Sequence, residues 1–402
     1  MRFFLMLCFL GGLTAQAQTT ENISKKRVKR VKKHVVFLSS DRLEGRRTGT
    51  NGEKLAYTYI SQQFEKAGLL PAGSNGTYLQ PFVVNEKENR NGHNVVGYIN
   101  NNSAHTIVLG AHYDHLGYGE DNNSMYRDSI RMIHNGADDN ASGTAALISL
   151  SGWLKKSAPK NYNYLLIAFS GEELGLFGSK YFTDHPTVPL TNISYMINMD
   201  MVGRLNPQTR SITVGGYGTS PVWGQLIKTN DPALSIKVDS SGTGPSDHSS
   251  FYRKDIPVLF FFTGTHTDYH KPSDDAQLIN YNGIVQISEY IKMLITATAD
   301  MGKLAFTKTR EISTGRMSFK VSLGIMPDYT FTGVGVLVEG VSSGKPAEKA
   351  GILAGDVILQ LGENKTGTVQ DYMKALGKFD KGQTVNATII RANKEIVLPI
   401  NF

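Results

Sequence analysis

The sequence predicts an α/β protein: a three-layer α/β/α sandwich around a mostly parallel, mixed central sheet, followed by a small β-rich unit. Three observations carry this. Short apolar runs (TIVLGAHYDH, YNYLLIAFSGEE, SYMINMDMVG, SITVGGY and IPVLFFFTG) recur through the middle of the chain. Amphipathic stretches such as TAALISLSGWLKK and NGIVQISEYIKMLI lie among and after them, and strands alternating with helices build a sheet covered on both faces. From Met317 onward the runs shorten and turns become more frequent.

Length and composition agree with this reading. The chain has 402 residues, 40% of them hydrophobic and 19% charged, which suits two or three packed domains and excludes wholesale disorder. A single cysteine excludes a disulfide scaffold, a cysteine zinc cluster and an iron–sulfur site. The net charge of +7 is local: seven basic residues fall between Lys25 and Lys33, and the remainder is near neutral once these and Arg2 are set aside. A nucleic-acid enzyme would spread its basic groups along a groove, so no nucleic-acid partner is expected.

The elements follow in order. Residues 1–17 read as a cleaved signal peptide, with Arg2, the apolar run FFLMLCFL and the small-residue site Ala15-Gln16-Ala17. A periplasmic or secreted protein is therefore expected. No later stretch is long and apolar enough for a transmembrane segment. Val28, Val31, Val35 and Leu38 follow helical spacing, which makes the basic run a surface helix with a solvated face. A second helix carries Leu55, Tyr59, Ile60 and Phe64, and Gly68 caps its end. The domain boundaries expected are 24–300 for the large α/β domain, 301–316 for a polar linker and 317–402 for the small unit.

Residues able to bind divalent metal sit at the ends of the apolar runs. They are His112, Asp139, Glu173, Asp200 and His270, with Asp114, Asp138 and Glu172 beside them. In an open α/β sheet the carboxyl ends of the strands face one crevice, and imidazole with carboxylate suits zinc. Asp139, Glu173 and Asp200 offer three negative charges. Two divalent ions and one hydroxide balance them, whereas one ion leaves buried negative charge uncompensated. With Asp139 shared, each ion has its own histidine and its own carboxylate.

The motifs HYD, GADDNASG, GEELGLFGS, NMDMVG and DYHKPSDD, in this order, resemble the dizinc aminopeptidase family of metallopeptidase clan MH, the aminopeptidase S/Y type. The resemblance covers roughly residues 30 to 300. It implies two Zn2+ ions per chain, one on His112 and Asp200, the other on Glu173 and His270, with Asp139 bridging. It further implies Asp114 as a support for His112, Glu172 as general base, Tyr269 as a group steadying the oxyanion, and a cis peptide at Asp139–Asn140. Asp247 and His248, in GPSDHSSF, resemble substrate-pocket residues of relatives. Asp138 is expected as a supporting or capping group, and His115, His134, His185 and His266 as exposed or loop residues. The long polar loop GYGEDNNSMYRDSIRMIH is a candidate lid or specificity loop.

The stretch AEKAGILAGDVILQLG resembles a PDZ domain of the bacterial, permuted kind. This implies that Leu323, Gly324 and Ile325 form a loop receiving a peptide carboxylate, and that a helix near Val369 to Leu376 flanks a groove for peptide C-termini. The function expected is a secreted, zinc-dependent exopeptidase removing N-terminal residues from peptide substrates. The alternatives are a carboxypeptidase or dipeptidase on the same fold, then a glutaminyl cyclase or a catalytically dead binding protein.

Overall fold

The computed structural model describes residues 25–309 and 321–402, apart from 122, 127, 129, 230, 328–330, 332, 342 and 343. The expected signal peptide lies outside the described residues, as does the end of the expected linker. Among the described residues, no helix is long and apolar enough to cross a membrane.

Nine strands form the first sheet: β1 (Leu70–Pro71), β2 (Leu79–Asn85), β3 (Arg90–Ile99), β4 (Thr106–His112), β5 (Asn163–Phe169), β6 (Ile193–Met199), β7 (Ser211–Gly215), β8 (Ser235–Val238) and β9 (Val258–Phe262). Their order is β1-β3-β5-β4-β6-β9-β7-β8, with β2 also on β3. The centre β5-β4-β6-β9 is parallel throughout. The flanking pairs β1–β3, β2–β3, β3–β5 and β7–β9 are antiparallel, and β7–β8 is parallel again. Strands β4, β5 and β6 are buried along their whole length, as strands covered on both faces must be.

Helix α1 (25–38) buries Val31, Val35 and Leu38 and leaves its lysines and arginines in solvent. Helix α2 (Asn51–Ala67) starts at Thr50, whose hydroxyl accepts from the Glu53 amide, and stops at Gly68 in the left-handed region, φ 79°. Ile60 and Phe64 are fully buried on its inner face, worth about 1.5–3 kcal/mol each. Helices α3 (Gly143–Lys156), α4 (Phe177–Asp184), α5 (Pro221–Leu226), α6 (His248–Tyr252) and α7 (Tyr281–Ala297) complete the layers.

The first unit reaches further than the sequence suggests. Leu304 belongs to its core. Thr307 and Thr309 donate their amides to the Thr219 carbonyl and the Tyr252 hydroxyl. Residues 301–309 are therefore packed on the first unit instead of forming a free linker, because two apolar side chains, Leu304 and Phe306, have faces to bury there.

The second unit has its own core and its own antiparallel sheet, ordered β10-β11-β12-β14-β15 with β13 on β12. The strands are β10 (Ile325–Pro327), β11 (Val336–Val341), β12 (Val357–Leu361), β13 (Asn364–Lys365), β14 (Thr384–Arg391) and β15 (Lys394–Asn401). Two helices accompany them, α8 (Pro346–Lys349) and α9 (Val369–Leu376).

Candidate metal centre

The parallel centre of the sheet places the expected donors at its carboxyl end. His112 is the last residue of β4, Asp200 follows β6 directly, Glu172 and Glu173 follow β5, and His270 lies in the loop after β9. Asp139 sits in the helical turn 137–142 that leads into α3. The peptide Asp139–Asn140 is cis.

Asp139 is shared between two clusters. Its Oδ1 lies 3.3 Å from His112 Nε2, and Asp200 Oδ1 lies 3.2 Å from the same nitrogen. Its Oδ2 lies 3.2 Å from His270 Nε2, and Glu173 Oε2 also lies 3.2 Å from that nitrogen. Donor atoms of His112, Asp139 and Asp200 lie within 4.8 Å of one another, as do those of His115, Asp139 and Glu173.

These distances fit a cation better than hydrogen bonds alone. His270 Nδ1 faces the Asn123 carbonyl at 2.8 Å and His112 Nδ1 faces the Asp114 carbonyl at 3.3 Å, so the ring proton belongs on Nδ1 in both. Each Nε2 then presents a lone pair to two carboxylate oxygens, which is repulsive without positive charge between them. Zinc bonds of about 2.0–2.1 Å in tetrahedral array hold their donors about 3.3 Å apart, which is the spacing found here.

With no cation between the donors, the carboxylates favour protonated imidazoles instead, and a bound cation would take the place of those protons. Burial pulls the His112 imidazole pKa down, but Asp200 and Glu172 outweigh it and raise it well above the usual value. His270 behaves alike, with Glu173 and Asp139 prevailing over burial. Glu173 is brought down to about 2 against the effect of burial, chiefly by His270. Glu172 is pushed well above the usual carboxylate range, first by burial and then by Asp200, Glu173 and Asp247, with His112 opposing.

The surroundings hold these groups in place. The Asp114 carboxylate is 3.6 Å from His112 Nδ1; its hydrogen bonds come instead from the Glu172 amide at 3.2 Å and the Thr48 hydroxyl at 3.1 Å. It thus ties the two acidic motifs together. Asp138 accepts from the Gly203 amide at 2.6 Å and lies 3.2 Å from His266 Nε2, away from the donor set.

Two supports went unread in the sequence. Asp274 Oδ2 accepts both the Asp138 and Asp139 amides, at 2.9 and 3.0 Å. Arg46 is fully buried, and its guanidinium donates to the carbonyls of Tyr113, Leu38, Asn135 and Gly136. Asp274 lies within the motif DYHKPSDD, whereas Arg46 belongs to none of the five motifs.

Three expectations need correction. His115 and His134 do lie in loops but are buried, because each ring has a polar partner inside: Glu173 for His115 and the Ser124 hydroxyl for His134. Asp247 is fully buried, while His248 lines the cavity stacked on Phe260 at 4.4 Å. Burial holds Asp247 up at about 7 and His248 down at about 3. The loop expected as a lid is clamped: Asp121 takes paired hydrogen bonds from both Arg47 and Arg90, and the Met125 amide bonds the His270 carbonyl at 2.9 Å.

The donors open on a cavity of about 490 Å³. Met201, Phe260, Phe262 and Tyr269 form apolar wall, and Val369 and Met373 of α9 also line it. The Tyr269 ring stacks on His270 at 3.9 Å. In the second unit Gly324, φ 82°, precedes β10; a Cβ there would fall 2.1 Å from that of Lys345, which explains the glycine. The Leu323 carbonyl accepts from the Ala347 amide at 2.9 Å, and Ile325 begins β10.

Such a sheet, with two histidine–carboxylate clusters around one aspartate, defines a metal-dependent hydrolase. Comparison with known proteins narrows the class. The model of peptidase family M28 matches residues 94–295 and that of the PDZ domain matches 304–401. The chain belongs to peptidase family M28, a metallopeptidase family, and carries a C-terminal PDZ domain. It is 26% identical over 268 residues to leupeptin-inactivating enzyme 1 of Streptomyces exfoliatus, an alignment covering 65% of this chain and 54% of the relative. It is 30% identical over 168 residues to aminopeptidase YwaD of Bacillus subtilis, covering 39% and 36%. The chain thus spans about half the length of the first relative, and less of the second. A zinc aminopeptidase from Bacillus subtilis shares the fold at TM-score 0.52 and 18% identity, over 69% of this chain and 98% of that one. A glutaminyl cyclase from Bacteroides thetaiotaomicron does so at 0.52 and 18%, over 67% and 97%.

Proposed function

We propose that the chain is an exported aminopeptidase that uses two zinc ions to remove N-terminal residues from peptides. The observation that carries this is Asp139, one carboxylate with an oxygen committed to each histidine cluster. His112, Asp200 and Asp139 would hold one ion, and Glu173, His270 and Asp139 the other. Bound zinc supplies Lewis acidity, lowering the pKa of water and polarising a peptide carbonyl.

The chain's own groups do the rest. Glu172 opens on the cavity with its amide fixed by Asp114, and its raised proton affinity suits a general base. Its carboxylate takes a proton from the attacking water and returns it to the leaving amine nitrogen. Tyr269 lines the same cavity and would donate toward the oxygen that gains charge.

The cavity lining favours the amino end of a peptide. It carries the carboxylates Asp139, Glu172, Glu173, Asp200 and Asp239, and among the described residues that line it there is no lysine or arginine. The ions would neutralise Asp139, Glu173 and Asp200, which leaves Glu172 and Asp239 to attract an α-ammonium group; an α-carboxylate, which carboxypeptidase or dipeptidase action must hold, would meet no lysine or arginine there. Metal analysis beside turnover of aminoacyl-arylamides and N-blocked peptides, with and without chelator, tests this. Two zinc ions and chelator-sensitive cleavage of free-amine substrates alone are expected. Equal cleavage of blocked peptides would refute it.

The leader at residues 1–17 supports export, and N-terminal sequencing of the mature protein should begin after Ala17. The PDZ domain would hold peptide C-termini on the loop Leu323-Gly324-Ile325. Gly324→Val should then abolish anisotropy-detected peptide binding while sparing turnover of small arylamides; unchanged binding would count against that role.

A further inference from the structure

His115 lies three residues past His112 with its side chain wholly buried, and its Nδ1 is 2.8 Å from Glu173 Oε1. We infer that His115 is a positioning residue that holds Glu173 by one oxygen, so that the other alone faces the second metal. This inference rests on the two-zinc reading.

Distance separates the two kinds of contact. The four imidazole–carboxylate spacings at His112 and His270 are 3.2–3.3 Å, the separation expected of neighbouring donors on one zinc. The His115 contact is shorter and matches a hydrogen bond to a charged acceptor. His115 Nδ1 is also 3.9 Å from Asp139 Oδ2, beyond hydrogen-bond reach, so Glu173 is its acceptor. The oxygens of Glu173 are divided accordingly: Oε1 takes the His115 proton, and Oε2 lies beside His270 Nε2.

The ring has no freedom to do otherwise. His115 Nε2 is buried without a hydrogen-bond partner. A proton there would be unsatisfied while the Nδ1 lone pair faced a carboxylate, so the proton belongs on Nδ1. The ring packs on Gly136, φ 53°, where a Cβ would fall 2.4 Å from its Cδ2. The Gly136 carbonyl is in turn held by Arg46 at 3.0 Å. The ring is thus packed against an anchored stretch of backbone.

The test is zinc titration of the full-length chain against a competing chromophoric chelator. It compares the wild type with His115→Leu, which removes the donor, and His115→Asn, whose amide nitrogen can take the place of Nδ1. Loss of such a support costs about 10–100-fold in metal affinity. His115→Leu should weaken the second zinc by that factor and leave the first unchanged, and His115→Asn should recover most of the loss. Unchanged second-site affinity in His115→Leu overturns the inference, as does equal weakening of both sites or failure of Asn to rescue. A wild-type chain that takes up no zinc sinks the peptidase reading with it; two zinc ions and an indifferent His115→Leu sink the inference alone.

Discussion

The two halves of the metal centre are built by different means. His112 and Asp200 end adjacent parallel strands, and the ladder that pairs Gly110 with Asn198 brings them level. Backbone hydrogen bonds of the sheet therefore set this half. Glu173 and His270 come from loops after β5 and β9, which do not neighbour each other in the sheet. Nothing in the ladder sets their spacing. The second half is positioned instead by added side chains and loops: His115 on Glu173, the Asn123 carbonyl on His270, and the Arg47–Asp121–Arg90 clamp that anchors the loop bearing Asn123. Exposure does not separate the halves: the His270 side chain is 13% exposed against 1% for His112, but Asp200 is 12% exposed against 5% for Glu173. Donors at the ends of paired central strands come already aligned, whereas donors on loops need dedicated supports.

The sharpest way to separate the halves is to change the adjacent glutamates one at a time. Glu172→Gln should retain both zinc ions and lose about 10²–10⁴-fold in kcat, the range for a general acid–base group. Glu173→Gln should lose the second zinc as well, read by metal analysis of the dialysed protein. A Glu172→Gln enzyme with full turnover would remove Glu172 from the mechanism.

Graded chelation probes the same contrast. The half held by loops should empty first, giving two separated phases of metal release with the His112 half slower. Release of both ions in one phase would show that the halves do not differ in the way their supports suggest.

The smallest effect concerns the clamp. Asp121→Asn should cost about 1–2 kcal/mol of stability and lower the thermal midpoint. Burial would raise the Asp121 pKa, but Arg47 and Arg90 outweigh it and hold it far below the usual carboxylate range. A folded-state pKa below the unfolded one adds stability that is complete above the unfolded value of 3.8 and is lost as pH falls below it. The wild type should therefore lose more stability than Asp121→Asn between pH 5 and pH 2, read by chemical denaturation. Parallel curves would show that the clamp carries no net stability.

Legibility in the sequence followed locality. The strands of the centre were readable because each is a largely apolar run, and most donors because they follow such a run closely or open the next helix; His270, in the loop after β9, was readable only through the motif DYHKPSDD. His115 was misread because its partner Glu173 is far away in sequence, so HYDH shows only a histidine in a loop. Arg46 was invisible because its partners are backbone carbonyls of Leu38, Tyr113, Asn135 and Gly136, which have no residue-type signature. The polar look of residues 301–309 concealed Leu304, and the polar look of the loop 117–134 concealed its clamp.

Alone, the amino-acid order determined which side chains can carry metal and proton chemistry and at which strand ends they stand, because periodicity and end position are properties of short segments. Only the tertiary structure decided which oxygen of Asp139 or Glu173 serves which partner, and which buried cation or imidazole holds it there. Those choices are made by contacts between segments distant along the chain, at separations of about 3 Å, which no local pattern encodes.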